Sequence, residues 1–233
     1  MTASGTSTDL LARDARPVLD HDNAAVRVLR VVLGLLGFGT VIANMFIIAA
    51  EPEGLDAVNY LSYFTNQSSL YAGAVLAVSG LLPRSRLPRW WDGWRGAAAV
   101  YAAVTLAVFA LLLEGTPAAG ETTPWVDLVL HKLMPVVLIL DWLLIPSATR
   151  ARWWRPLAWM AYPVAYLAYA LVRGAAVGWY PYPFLDPREV GGYAGLVGSA
   201  GAVVVGFLAA ALVFDQLGRL RRRLRQRRGD GRA

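Results

Sequence analysis

Long apolar runs alternate with short polar connectors along most of this chain. Apolar runs of about 20 residues are long enough to cross a bilayer as α-helices. The pattern predicts an all-α polytopic membrane protein with six transmembrane helices, at about 26–49, 58–82, 95–113, 124–146, 156–178 and 187–217. Two starts carry cap signals, because Thr123-Pro124 and Asp186-Pro187 each place an N-cap residue before a proline at the first helical position.

The connectors differ in charge, and that difference predicts their orientation. Arginines gather in the 83–94 and 147–155 connectors and in the C-terminal tail, whereas the alternate connectors are acidic or nearly neutral. Basic connectors stay on the cytoplasmic side of a membrane. We therefore expect a multi-pass protein of a bacterial cytoplasmic (inner) membrane with both termini cytoplasmic. Residues 1–25 are predicted to be a disordered tail, 26–217 the six-helix transmembrane domain and 218–233 a basic tail.

Composition supports this class and removes several others. The chain has 233 residues, of which 57% are hydrophobic and 16% are charged, whereas soluble domains carry roughly 25% charge. The net charge of +6 comes almost entirely from arginine, because Lys132 is the only lysine. These arginines lie at the ends of apolar runs, which favours orientation signals over nucleic-acid binding. We expect the basic C-terminal tail to bind anionic membrane lipids.

No metal or other cofactor is predicted. The chain contains no Cys, and His131 is the only histidine outside the N-terminal tail. A bis-histidine haem needs two histidines within the membrane, and a metal cage needs more ligands than the residues near His131 supply.

Polar residues of four predicted spans lie at one depth. Helices rise about 1.5 Å per residue, which places Thr65, His131, Asn44 and Arg173 roughly 7–11 Å below the outer interface. Polar groups inside hydrocarbon are costly, so they indicate functional sites. The run 65–69 contributes five consecutive polar residues to this level.

A hydroxyl and an imidazole on different spans suit covalent hydrolysis. Thr65 is a nucleophile if a base takes its proton, and His131 is a base near neutral pH. Asp127 precedes His131 by four residues on the same helix face and is expected to orient the imidazole. Ser68 or Ser69 is the alternative nucleophile. We assign substrate binding or oxyanion stabilisation to the remaining polar residues of this level and to the loop 179–186: Arg173, Asn44, Asn66, Ser68, Ser69, Tyr180 and Tyr182.

Two other classes use the same residues differently. In a transporter or proton-coupled carrier, His131 and Arg173 lie in the pathway. In a non-catalytic lipid-binding protein, Thr65 only braces its own helix. Asp141 lies nearer the cytoplasmic end, where we expect it to pair with a connector arginine.

Four ordered motifs resemble a bacterial group of six-span membrane proteins. They are YFTNQSS (63–69), LHKLMPVVLILDWLL (130–144), YPVAYLAYALVRG (162–174) and YPYPFLD (180–186), and the resemblance covers about residues 26–215. That group is similar to the androgen-induced membrane hydrolases of animals. The resemblance implies an intramembrane threonine hydrolase that cleaves esters of hydroxy fatty acids. It implies Thr65 as nucleophile, His131 as its partner, and a lipid or fatty-acid ester as substrate.

Overall fold

The computed structural model describes residues 20–113, 123–145 and 152–230, with side chains up to residue 223; these residues form helices and contain no strand. The α-helices are α1 (Ala24–Ala49), α2 (Ala57–Ser62), α3 (Phe64–Leu81), α4 (Trp91–Val108), α5 (Pro124–Asp127), α6 (Met134–Leu144), α7 (Arg155–Val177) and α8 (Tyr193–Asp230). Two π-helical segments extend them: Phe109–Leu113 continues α4, and Leu128–Leu133 joins α5 to α6. Short 3₁₀ turns cover Arg84–Arg86 and Pro183–Leu185.

Within the described ranges, four helices are long and apolar enough to cross a membrane. They are α1, α4 with its π-helical extension, α7, and α8 as far as Arg223. This confirms the predicted all-α class and indicates a membrane protein. Of the predicted tails 1–25 and 218–233, residues 1–19 and 231–233 lie outside the described residues, whereas residues 218–230 continue α8.

The second and fourth predicted spans are interrupted rather than continuous. The second divides into α2 and α3 at Tyr63, whose backbone is extended (φ −73°, ψ 131°). The fourth consists of α5, the π-helical segment and α6. Pro135, near the start of α6, has no N–H for the regular bond to the His131 carbonyl. The wider helical turns end where this donor is missing.

Helix α4 lies at the centre of the bundle. Its residues 96–100 are all buried, and the helix packs against α3, α6, α7 and α8. Glycine and alanine dominate this stretch, and small side chains allow neighbouring helices to approach closely. The other three candidate spans have fewer buried residues, as helices with lipid-facing sides do.

Helices α1 and α3 meet backbone to backbone. A Cβ added to Gly73 would lie 2.8 Å from the carbonyl oxygen of Gly34 and 2.8 Å from the nitrogen of Phe38. A Cβ on Gly34 would lie 2.5 Å from the nitrogen of Ala77. Only glycine fits at these two positions without moving a helix.

Buried ion pairs join helices at the arginine-rich end. Asp141 of α6 accepts hydrogen bonds from Arg30 of α1 (2.6 Å) and Arg95 of α4 (2.7 Å). Arg95 also pairs with Asp92 at 3.3 Å. Asp141 was expected to pair with a connector arginine, and this was wrong in its location: both partners belong to helices, Arg95 next to the edge of the 83–94 connector and Arg30 within α1.

His21 packs near these charges, just before α1. Its side chain is buried, and burial lowers the pKa of His21 to about 4, with Arg30 and Arg95 adding to the effect. The imidazole is therefore neutral at pH 7, where the nearby guanidinium groups disfavour a further positive charge.

Gly73→Ala is expected to destabilise the protein by about 1–3 kcal/mol, because overpacking forces α1 and α3 apart. Thermal unfolding in detergent measures the effect. Gly39→Ala is the matched control on α1, since a Cβ there meets nothing within 4 Å. Equal unfolding temperatures for the two variants would show that the helix contact is unimportant.

Candidate functional site

The break at Tyr63 leaves three carbonyl groups at the end of α2 without their helical donors. In a continuous helix, the amides four residues later would bond to them. Three side chains take over this role: Asn66 Nδ2 donates to Tyr60 O (2.7 Å), Gln67 Nε2 donates to Leu61 O (2.7 Å), and the Tyr166 hydroxyl donates to Ser62 O (2.9 Å). Every one of these carbonyls therefore keeps a partner.

This pattern explains part of the polar run 65–69. Asn66 and Gln67 are the first residues of α3 that can reach back across the break. Gln67 also accepts a hydrogen bond from the Tyr162 hydroxyl at 2.8 Å, which ties α3 to α7. Asn66, which we expected to bind substrate, uses its amide nitrogen to support the backbone.

Thr65 lies in the wall of a largely apolar cavity of about 50 Å³, here called the Thr65 cavity. The backbone N–H of Thr65 donates to the Tyr182 hydroxyl at 3.3 Å, and Tyr182 also interacts with the Thr65 side chain. Phe64, Thr105, Phe109 and Tyr182 are among the other residues of the wall. Thr65 and Thr105 thus place hydroxyl groups in an otherwise hydrocarbon-lined space.

The loop between α7 and α8 closes one side of this cavity. Tyr182 and Phe184 stack with ring centroids 5.0 Å apart, and both line the cavity. Tyr180 instead packs on Gly174, where a Cβ would collide with its ring. Asp186 anchors the loop by accepting hydrogen bonds from Arg188, and these bonds lower the pKa of the Asp186 carboxyl.

His131 and Asp127 form the pair that their spacing predicts. Nδ1 of His131 lies 2.9 Å from Oδ1 of Asp127. The buried imidazole stacks on Phe109, with ring centroids 4.2 Å apart and planes 10° apart. Phe109 also lines the Thr65 cavity, so one ring contacts both the cavity and the histidine.

Phe109 and His131 each belong to a π-helical segment. Such segments are rare and often occur at functional sites. The described hydrogen bonds of Thr65 go to Tyr182 and Ser68, while that of His131 goes to Asp127. Phe109 therefore connects the two residues: its ring stacks on His131 and lines the cavity that Thr65 also lines.

Arg173 and Asn44 lie on either side of α2. Arg173 Nη2 donates to Asn59 Oδ1 at 2.6 Å, and its guanidinium carbon lies 5.0 Å from the Trp179 ring centre. Asn44 Nδ2 donates to the Tyr60 hydroxyl at 3.4 Å. Within the described residues, Nη1 of Arg173 and Oδ1 of Asn44 are buried without hydrogen-bond partners.

Thr105 is a candidate that the sequence analysis missed. Its hydroxyl is buried and has no hydrogen-bond partner in the described part of the chain. Thr105 lines the Thr65 cavity and also a smaller cavity of about 10 Å³ that Ser68 and Ser69 share. It stands eight residues before Leu113, so the depth rule that selected Thr65 also applies to it.

The described residues form a helical bundle with four candidate membrane-spanning helices, which indicates a membrane protein, and a largely apolar cavity with two threonines lies beside a partly buried histidine–aspartate pair. Across the described ranges, no three His, Asp or Glu side chains are grouped to hold a metal ion. Comparisons with family models, curated proteins and solved structures find no match. The family resemblance drawn from the four motifs therefore stays an expectation.

Asn66→Leu is expected to lower the free energy of unfolding by about 1–3 kcal/mol, because it leaves the Tyr60 carbonyl without a donor. Thermal unfolding in detergent is the measurement. Thr40→Val is the control, since the Thr40 hydroxyl bonds only to Leu36 O within its own helix. A loss in the control as large as in Asn66→Leu would contradict the bracing role.

Proposed function

We propose that this protein is an intramembrane hydrolase of amphiphilic lipid esters, with Thr65 as nucleophile and His131 as base. The position of Thr65 in the wall of an apolar cavity, one ring away from the His131–Asp127 pair, carries the proposal. The proposal includes six membrane crossings, with both termini in the cytoplasm of a bacterium. The charge alternation of the connectors supports that arrangement.

The apolar lining of the cavity favours an apolar acyl group beside Thr65. Its walls are mainly aliphatic and aromatic side chains, and its volume is about 50 Å³. Drug-sized ligands occupy roughly 300–1,000 Å³, so a fatty acyl chain requires the wall to open. The Tyr182–Phe184 loop and Phe109 are the wall elements whose displacement would enlarge the space.

The histidine tautomer fits a general base. If Nδ1–H donates to Asp127, Nε2 carries the lone pair that accepts a proton. Thr65 Oγ1 then gives its proton to Nε2 and attacks the ester carbonyl carbon. The C–O bond breaks, and the leaving alcohol takes the proton from His131. Water repeats the sequence on the acyl-threonine and releases the acid.

Phe109 must leave its stacked position for this step. Its ring covers the imidazole and also faces the cavity, so a rotation of this ring would expose the His131 imidazole to the cavity that Thr65 lines. We infer that substrate entry causes this rotation. The π-helical turns around Phe109 and His131 give both side chains a backbone less regular than an α-helix.

The N-terminus of α3 suits the negative charge that develops on the carbonyl oxygen. Amides of a first helical turn lack helical acceptors, and the helix dipole favours anions there. The Thr65 N–H now bonds to the Tyr182 hydroxyl, which a substrate oxygen would replace. Arg173, with its unpaired Nη1, is assigned to a carboxylate at the far end of the substrate.

Thr65→Val is expected to reduce hydrolysis of a p-nitrophenyl acyl ester at least about 10³-fold, because the nucleophile is lost. His131→Gln is expected to reduce it about 10²–10⁴-fold. Initial rates in detergent micelles measure both effects. Thr40→Val, at a residue that lines neither cavity, keeps the wild-type rate.

Thr105→Val provides the competing test within the same cavity. If it abolishes hydrolysis while Thr65→Val retains it, the nucleophile is Thr105 and the assignment of Thr65 is wrong. If neither variant nor His131→Gln changes the rate of the purified protein, the hydrolase proposal fails.

A carrier is the second candidate, and the interrupted helix favours it. Secondary transporters bind substrates at discontinuous helices whose half-helix ends point at the ligand. The break between α2 and α3 provides such ends beside Thr65. The test is solute flux into proteoliposomes. Flux that is lost in Thr65→Val, together with no ester hydrolysis by the wild type, would identify the protein as a carrier.

A further inference from the structure

A second, larger cavity opens at the arginine-rich end of the bundle. It is a groove of about 1300 Å³ between α3, α4 and α7, here called the α4–α7 groove. Aromatic rings form much of its wall, among them Trp90, Trp94, Tyr101, Trp159 and Tyr162. Phe64 contacts Tyr101 and Tyr162 from the Thr65 side, so these rings separate the groove from the Thr65 cavity.

The charges of the groove are positive and lie at one end. Arg89, Arg152 and Arg155 line it, and its lining, drawn from the described residues, includes no acidic side chain. Arg89 and Arg152 are exposed at the mouth. Arg155 is buried deeper, where its Nε donates to Oδ1 of Asp215 at 2.7 Å, and its Nη1 has no hydrogen-bond partner in the described part of the chain.

The opposite end of the groove is aromatic and uncharged. From Trp90 to Tyr101, α4 advances roughly 16 Å along its axis. Hydrogen bonds hold the walls in place, since Trp159 Nε1 donates to Gly93 O at 2.8 Å and the Tyr101 hydroxyl donates to Trp159 O at 2.9 Å. A rigid apolar channel therefore leads inward from a cationic mouth.

We propose that the α4–α7 groove binds an anionic phospholipid from the leaflet at the arginine-rich end. The phosphate lies between Arg89 and Arg152, where guanidinium groups bind phosphate oxygens. One acyl chain runs inward along Trp94, Trp159 and Tyr101. Tryptophan and arginine at this level match the interfacial and headgroup regions of a bilayer. The site is independent of the proposed hydrolysis, which uses the other cavity.

Native mass spectrometry of the full-length protein in detergent tests the proposal. Phosphatidylglycerol and phosphatidylcholine with identical acyl chains are titrated, and dissociation constants are compared. We expect tighter binding of phosphatidylglycerol to the wild type. The double variant Arg89→Gln/Arg152→Gln weakens that binding roughly 30-fold, given the usual contribution of each interfacial arginine.

The matched control is Arg86→Gln, which removes a charge from an exposed position of the same connector outside the groove and is compared with the single variant Arg89→Gln. It retains the wild-type affinity. Equal losses in Arg86→Gln and Arg89→Gln, equal affinity of the wild type for the two lipids, or full displacement by millimolar inorganic phosphate would each overturn the proposal.

Photolabelling of the wild type keeps the test decisive if the groove variant does not fold. Phosphatidylglycerol with a diazirine near the middle of one acyl chain is expected to label α4 and α7 at residues of the groove. Labelling that is confined to α8 or to the outer face of α1 would assign the lipid to another surface and reject this site.

Discussion

Within hydrocarbon, a polypeptide has no water to satisfy its backbone, and this constraint governs the region around Tyr63. Interrupting a helix there exposes carbonyl groups whose unpaired burial would cost several kcal/mol each. Asn66 and Gln67 reach back from α3, and Tyr166 reaches across from α7, so that the carbonyls of Tyr60, Leu61 and Ser62 each accept a hydrogen bond. The interruption is therefore a stable part of the fold, because three specific side chains supply the hydrogen bonds that these carbonyls would otherwise lack.

The same hydrogen bonds position the candidate site. Because Tyr166 and Tyr162 bind the two sides of the break, α7 is held against α2 and α3. The loop after α7 then places the Tyr182 hydroxyl at the first turn of α3. At the opposite end of the bundle, Asp141 joins α1 to α4 through two buried ion pairs. Buried ion pairs thus stabilise one end of the bundle. Hydrogen bonds from neutral tyrosine and amide side chains stabilise the other end, which encloses the apolar cavity.

Sequence reasoning identified the helical class, because apolar run length is a local property. It also identified the pairing of His131 with Asp127, which depends only on a four-residue spacing within one helix. It did not predict the break at Tyr63, since the partner that stabilises the Ser62 carbonyl comes from a residue 104 positions away. Arg30 was missed for the same reason: its partner Asp141 is distant in sequence, and the arginine looked like part of an apolar run.

The break bears directly on whether Thr65 is a nucleophile or part of a passive wall. A threonine in a regular helix usually bonds its hydroxyl to the carbonyl three or four residues earlier. For Thr65 those carbonyls belong to Ser62 and Leu61, and they already accept hydrogen bonds from Tyr166 and Gln67. By contrast, Thr40 bonds to Leu36 O in the ordinary way. The usual acceptors of the Thr65 hydroxyl therefore already have other donors, and the Thr65 side chain interacts with Tyr182 at the cavity wall, which is the position that the proposed nucleophile requires.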